Sequence, residues 1–246
     1  MTGGQIMNNS IPISDGQKVF IANGIFRAIS QDLPEIIYEH NLPTTVGAGL
    51  FRWNFINRNL SDNLCADFEV CIPPRGAWRV LILRDKVSNM SFSIMSEKNF
   101  QRLQRHPGKT VHYLEALISE NEVREPISSQ LSLFQPQQRD LSVLSNLRNQ
   151  LLSGFSGIVQ EHVLILFDYT YVGVTSARAV LLTPRMEIAV SEDWTHYLKQ
   201  QYIPNKFLSE IASDGEEMLV KLKPQFDSAN LQIVDTAEKE MDGKID

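Results

Sequence analysis

The chain has few of the residues that build disulfide or metal-held frameworks. Its 246 residues include two cysteines, Cys65 and Cys71, whose spacing matches neither a disulfide framework nor a CxxC metal motif. No run of about eighteen apolar residues is present, so we predict no membrane span. The N-terminus also lacks the basic and then apolar pattern of a secretory signal. Together these absences predict a protein of the cytoplasm.

Familiar catalytic motifs are lacking as well. The sequence has no Gly-rich phosphate loop, no nucleophile elbow and no HExxH motif, and it predicts no cofactor. Asp67 and Glu69 lie two residues apart on a predicted strand, where side chains alternate, so both project from one face. Two such carboxylates can hold Mg²⁺ in a nuclease. The Glu-x-Lys strand of restriction-type nucleases does not follow them, so a solvated strand end is the alternative.

Two histidine–carboxylate pairs have the i, i+3 spacing of residues on one helix face. They are His112 with Glu115, and Asp193 with His196. Either pair could supply zinc ligands or an acid and a base. A metal site needs a third ligand from another element, and the alternative for both pairs is a solvated helix face.

The composition is that of a globular protein, with 43% hydrophobic and 21% charged residues. The net charge of −6 argues against a protein that coats nucleic acid by bulk electrostatics. The charge is distributed unevenly, because residues 214–246 are acidic whereas the positive and negative charges of residues 1–125 nearly cancel. We expect little order beyond Phe226, which would leave an accessible tail for a protease adaptor or an antitoxin.

The residue pattern of the first half predicts helices followed by strands. The capping-box spacing from Ser14 to Gln17 begins the first helix, and Pro34 fits the first turn of the second. Further helices are predicted over residues 50–60, from Ser96 onwards and over residues 110–118. Strands are predicted over residues 68–72, 78–83 and 91–95.

The second half repeats this order. A helix over residues 141–152 precedes strands over residues 163–169, 177–182 and 186–190, and a helix is predicted to begin at Ser191. We therefore predict an α+β fold with antiparallel sheets and flanking helices. After each set of strands, the next predicted helix begins with Ser-Glu. This similarity indicates an internal pseudo-repeat of strand-strand-strand-helix, or equally the usual order of elements in an α+β protein.

The domain boundaries follow from these patterns. We expect a leader over residues 1–13, one α+β half over 14–118, a linker over 119–140, a second half over 141–226 and an acidic tail over 227–246. Residues 1–7 resemble the start of a phage-capsid-derived epitope tag and differ from it at Ile6, so the natural start is expected at Met7.

A group of basic residues follows the first set of strands. Lys98, Arg102 and Arg105 can line one face of the helix that begins near Ser96, and Lys109 follows it. Such a group could contact the phosphates of DNA. A solvated helix surface is the alternative interpretation.

The most specific signal lies in a Ser-, Gln- and Pro-rich stretch, SSQLSLFQP, that is typical of a linker. Its five central residues, the 130–134 peptide, are listed here: Gln130, Leu131, Ser132, Leu133 and Phe134. Three apolar side chains on a solvated linker indicate a partner. The alternation of leucines at 131 and 133 is also compatible with a short half-buried strand.

The 130–134 peptide resembles the motif by which bacterial replication and repair proteins dock on the DNA polymerase sliding clamp. The resemblance implies that Gln130 hydrogen-bonds at the mouth of the clamp's peptide cleft and that Leu131 rests on its wall. It places Leu133 and Phe134 in the apolar pocket, with Ser132 where a small or acidic residue is tolerated. The resemblance covers five residues, and the oligomeric state remains open.

This resemblance implies a non-enzymatic clamp binder, similar in mode to toxins that inhibit DNA replication. The alternatives are a clamp-recruited DNA repair factor or metal-dependent nuclease, and an unrelated interaction protein. The region 68–121, with its RGAW turn and HYLEAL helix, also resembles an uncharacterised bacterial family of unknown function.

Overall fold

A computed structural model describes residues 10–41, 47–62, 67–75, 78–106, 108, 110–127, 139–170 and 172–198. Its helices are α1 (Asp15–Arg27), α2 (Leu33–Glu39), α3 (Ala48–Ser61), α4 (Glu97–Arg105), α5 (Tyr113–Ile118) and α6 (Leu141–Leu152). Its strands are β1 (Phe68–Cys71), β2 (Pro74–Arg75), β3 (Trp78–Arg79), β4 (Ile82–Asp85), β5 (Met90–Ser96), β6 (Glu161–Thr170), β7 (Gly173–Leu182) and β8 (Ile188–Asp193).

Helix α1 begins and ends for reasons that are visible in the sequence. The Ser14 hydroxyl accepts from the Gln17 backbone, and the Gln17 side chain accepts from the Ser14 backbone, which confirms the predicted capping box. A π-helical turn over Ala28–Asp32 joins α1 to α2, and Pro34 lies in the first turn of α2. Proline has no N–H to donate to the preceding turn, so a widened turn before it accommodates the ring.

Six strands form one mixed sheet in the order β1-β4-β5-β6-β7-β8. All neighbouring strands are antiparallel except β5 and β6, which run parallel. The α+β class with flanking helices is thereby confirmed, and the sheet has one parallel pair that an antiparallel prediction did not include. Strands from both sides of the predicted linker lie in this sheet.

The sheet separates two hydrophobic cores, so the fold has three layers. On one face α1 and α3 pack over residues such as Phe92 and Phe167, and on the other face α4, α5 and α6 cover residues such as Leu164. Gly24 allows α1 and α3 to approach closely, because a Cβ atom there would lie 2.4 Å from Leu60 Cδ2. Continuous apolar runs such as 163–167 are explained by burial on both faces.

Two predictions about these elements were wrong. Ser191 and Glu192 do not begin a helix but lie in β8, where the Glu192 carboxylate accepts from the buried Lys18 ammonium group at 2.6 Å. The second half therefore lacks the helix that the pseudo-repeat required there, and the repeat is not shown. The strand predicted over 78–83 is divided, because β3 pairs with β2 in a separate hairpin whereas β4 pairs with β1.

The parallel pairing of β5 and β6 determines the course of the chain between them. Parallel neighbours need a long crossover connection, unlike antiparallel ones. Here the crossover contains α4, α5 and α6, which all lie on the same face of the sheet. The predicted linker belongs to this crossover, between α5 and α6.

Candidate partner-binding and nucleic-acid site

Before the 130–134 peptide, the chain is anchored to the sheet by Asn121. The Asn121 amide donates to the carbonyl oxygens of His162 and Leu182 at 2.9 and 2.8 Å, and its oxygen accepts from the His162 backbone at 2.7 Å. Asn121 is 4% exposed, so these bonds form away from water, where an unmade hydrogen bond is costly. The start of the predicted linker is thus held against β6 and β7.

Further contacts guide the chain from Asn121 to the edge of the sheet. Arg124 donates from Nη2 to the Glu161 carboxylate at 3.1 Å. The Ile127 backbone then donates to the carbonyl oxygen of Ile188 on the edge strand β8 at 2.8 Å. The residue that immediately precedes the undescribed part of the linker is therefore fixed at this edge.

After the 130–134 peptide, the chain is anchored again at Arg139 and Asp140. Arg139 donates to the Glu115 carboxylate at 2.7 Å and to the carbonyl oxygen of Gly108 at 2.6 Å. Asp140 then caps α6 by accepting from the Ser142 backbone at 2.8 Å. The residues of the peptide itself, with the clamp contacts predicted for them, lie outside the described part of the chain.

Helix α4 carries the predicted basic residues on its solvent side. Phe100 is buried and Leu103 half-buried against the sheet, whereas Lys98, Arg102 and Arg105 are exposed. The Ser96 hydroxyl accepts from the Asn99 backbone, which confirms the predicted helix start. Lys109, the fourth residue of the predicted group, lies outside the described residues.

A residue that the sequence did not single out, Arg75 of the β2–β3 hairpin, contacts the start of α5. Its guanidinium carbon lies 4.6 Å from the centre of the Tyr113 ring. Burial, followed by the charges of Arg75 and Arg102, lowers the pKa of His112 from 6.5 to about 3. Both arginines therefore disfavour the charged form of His112, which stays neutral at physiological pH.

His112 and Glu115 have structural roles at the start of α5. The His112 ring accepts from the Leu114 backbone at 3.2 Å, and the Glu115 carboxylate accepts from the His112 backbone at 3.2 Å. Glu115 also forms the ion pair with Arg139. The i, i+3 spacing thus corresponds to a capping box, in which both side chains bind backbone groups.

The candidate metal ligands Asp67 and Glu69 lie at β1, the other edge of the sheet. Asp67 is exposed immediately before the strand. Glu69 accepts from Ser156 and, at 3.0 Å, from Arg84, and these bonds, that of Ser156 first, lower the pKa of its carboxyl group. Within the described ranges, no three or more His, Cys, Asp or Glu side chains are grouped so that they could hold a metal ion.

Asp193 and His196 lie where β8 ends and a short 3₁₀ turn begins. The Asp193 carboxylate accepts from the Thr195 backbone at 2.8 Å. Hydrogen bonds from the side chain and then the backbone of Thr195 lower the pKa of the Asp193 carboxyl group. His196 is exposed and stacks beside Tyr197. Asp193 therefore turns the chain locally at this position.

Sequence reasoning missed a buried polar network in the middle of the sheet. The two ring nitrogens of His162 lie 2.7 and 2.8 Å from the hydroxyl oxygens of Ser91 and Ser93. Burial, and then the charge of Arg148, lowers the pKa of His162 to about 3. Ser93 also hydrogen-bonds the Tyr113 side chain, so the network extends from the sheet to the start of α5. The only signal was the alternation of serines with apolar residues in β5.

The fold and these sites define a three-layer α+β protein with a six-stranded mixed sheet and a long crossover beside basic residues. In the described part of the molecule, no helix combines the length and apolar character needed to cross a membrane. The chain belongs to a family described as a family of unknown function (DUF5986), whose model matches residues 8–235. No curated protein and no solved structure gives a significant match.

Proposed function

We propose that the chain binds the DNA polymerase sliding clamp through the 130–134 peptide and acts without catalysis. The observation that carries this proposal is the sequence QLSLF itself, which matches the clamp-binding motif at every position. The anchored flanks support it, because Ile127 and Arg139 hold the chain on both sides of the peptide. Fixed ends reduce the conformational entropy that a docking peptide loses on binding.

The expected affinity is modest. Burial of two leucines and one phenylalanine is worth roughly 1.5–3 kcal/mol for each side chain. Part of this free energy is lost again in ordering the segment, so the remainder corresponds to a Kd roughly between micromolar and millimolar. A ligand of this affinity would exchange on the clamp and compete with other proteins that use the same cleft.

A direct binding titration between the purified chain and a bacterial sliding clamp tests the proposal. We expect the double variant Leu133→Ala/Phe134→Ala to weaken binding by about a hundredfold or more, because it removes two apolar anchors. The control is Leu141→Ala/Val143→Ala, which removes two side chains that are 78% and 47% exposed on α6. Equal affinity of the two double variants would contradict the proposal.

A second experiment separates the classes of clamp binder. A competitor of the polymerase, similar in mode to a replication-inhibiting toxin, would arrest DNA synthesis when expressed, and Phe134→Ala would relieve the arrest. A recruited nuclease would instead cleave DNA in the presence of a divalent metal, and Asp67→Ala would abolish the cleavage. An antitoxin or protease adaptor would be sought among proteins that restore growth during arrest.

A further inference from the structure

We propose that Arg52 binds the carboxylate group of a small organic acid, beside Tyr169 near the end of β6. Arg52 belongs to α3, which covers the face of the sheet opposite α4, α5 and α6. The inference goes beyond clamp binding, because the predicted clamp peptide belongs to the crossover that contains those three helices.

Four cationic side chains are buried among the described residues, and three of them bind a carboxylate. These three ion pairs are Lys18–Glu192 at 2.6 Å, Arg84–Glu69 at 3.0 Å and Arg148–Glu120 at 2.7 Å. The fourth cation, Arg52, is 7% exposed and pairs with no carboxylate in the part of the chain that the structure describes. Burial of a charge without a partner is costly, so the missing counter-ion indicates a ligand.

The contacts of Arg52 hold its guanidinium group in place without neutralising it. Nη1 donates to the Tyr169 hydroxyl oxygen at 2.5 Å. The guanidinium carbon lies 3.9 Å from the centre of the Tyr169 ring. A ring attracts a cation but supplies no negative group, so these contacts orient the guanidinium plane and leave its charge in need of an anion.

The remaining edge of this guanidinium group fits a particular kind of anion. Nε is buried and has no hydrogen-bond partner, and Nη2 donates to none of the described residues, because the hydrogen bond of Arg52 uses Nη1. The N–H groups of Nε and Nη2 are parallel and form the two-pronged donor that binds both oxygens of a carboxylate. Tyr169 thus occupies one nitrogen and leaves this pair to a ligand.

Two carboxylates on neighbouring elements have other partners. Asp168, which precedes Tyr169 in β6, is exposed and accepts from the Tyr169 backbone at 2.9 Å. Asp32 lies in the π-helical turn that packs against α3, and its carboxylate binds Arg58 at 3.0 Å. Neither residue neutralises Arg52, so a ligand is the expected source of the negative charge.

The balance of charge favours a carboxylate over a phosphate. At neutral pH a carboxylate carries one negative charge, which a single guanidinium group neutralises. A phosphate monoester carries close to two negative charges. It would leave part of its charge without a partner in a buried site, where such a charge is costly.

Burial also favours a small acid over an acidic side chain of a partner protein. Arg52 is 7% exposed, and the surface of its Nε atom is closed to solvent. A side chain from a partner would bring the partner's backbone against the surface of the protein. A small acid needs only a local movement of the surrounding side chains, and small-molecule sites normally enclose most of their ligand.

The test is an NMR titration of the full isotope-labelled chain with sodium acetate, in which sodium chloride keeps the ionic strength constant. We expect the Nε–H signal of Arg52 to shift and to saturate as acetate is added. Sodium phosphate should bind about tenfold more weakly than acetate, because one guanidinium group does not balance its charge.

A conservative variant tests the geometry of the site. Arg52→Lys keeps the charge but loses the two parallel donors, so acetate should bind about tenfold more weakly, as measured on the Tyr169 backbone amide. The control is Arg79→Lys, at an exposed residue of β3, which should keep the wild-type affinity. If Arg52→Lys does not fold, Tyr169→Phe removes the hydroxyl that holds Nη1 and should weaken acetate binding roughly threefold or more.

Three results would overturn this proposal. They are an Arg52 signal that responds to acetate no more than to chloride, equal acetate affinity of Arg52→Lys and the wild-type chain, and phosphate binding as tight as that of acetate. Arg52→Lys should bind the sliding clamp like the wild-type chain, because α3 lies on the other face of the sheet. Failure of carboxylate binding and failure of clamp binding are therefore separate outcomes.

Discussion

Two histidines, His162 and His112, have the same lowered pKa of about 3 in two different regions. His162 is fully buried between Ser91 and Ser93 in the sheet. His112 is half-buried at a helix start, where two arginines approach it. Burial, which excludes water, is the main reason that both histidines stay neutral. The charge of one arginine, Arg148, adds to burial at His162, whereas the charges of two arginines add to it at His112.

The two histidines hold together different parts of the fold. Both nitrogens of His162 are bonded, and a neutral imidazole with one donor and one acceptor satisfies both serines. The His112 ring instead accepts from the Leu114 backbone at the start of α5. Changes at His162 should therefore alter the stability of the sheet, and changes at Arg75 or Arg102 should alter the pKa of His112.

The largest expected effect is on stability, from Asn121→Ala. The substitution removes three buried hydrogen bonds to the backbone of β6 and β7 and leaves polar groups unsatisfied. We expect a loss of about 3 kcal/mol in the free energy of unfolding, measured by urea denaturation. The control Asn146→Ala, on the exposed side of α6, should change it by less than about 0.5 kcal/mol. Similar losses in both variants would contradict the structural role of Asn121.

Local signals in the sequence predicted a large part of the secondary structure. The capping box at Ser14, the cap at Ser96 and the full extent of α6 were predicted because each depends on residues close together in sequence. Helix formation from Ser191 was wrongly predicted from an equally local signal. There the pairing of β8 with β7, and the bond from Lys18 to Glu192, override the local preference.

The sites were less predictable, because they depend on contacts between distant residues. Ser91 meets His162 only because β5 and β6 are parallel neighbours in a particular register. Arg75 meets the Tyr113 ring only because a hairpin folds over the start of α5. No periodicity or motif in the sequence encodes either contact. The 130–134 peptide is the reverse case, because its signal lies wholly in the sequence.

A second, smaller effect on stability should appear on acidification. The pKa of His162 is about 3 in the folded chain and about 6.5 in the unfolded chain, so the unfolded chain takes up the proton first. The contribution of His162 is therefore complete above pH 6.5 and is lost as the pH falls towards 3. Between pH 6.5 and 5 the loss is about 2 kcal/mol.

Urea denaturation at several pH values checks this expectation. His162→Gln removes the titrating group, so its stability should fall less steeply between pH 7 and 5 than that of the wild-type chain. His40→Gln is the control, because His40 is exposed at the end of α2. A pH dependence that is the same in His162→Gln and in the wild-type chain would contradict the linkage.

The smallest effect, a change in one pKa, tests the charge contribution at His112. Arg75→Ala removes one of the two positive charges that disfavour the imidazolium ion, so the pKa of His112 should rise by roughly half a unit to one unit. NMR titration of the His112 ring proton measures this rise, and Arg79→Ala on the same hairpin is the control. Burial alone would leave the pKa unchanged in both variants. In that case burial alone would account for the low pKa of His112, and the two histidines would not differ in the contribution of neighbouring charges.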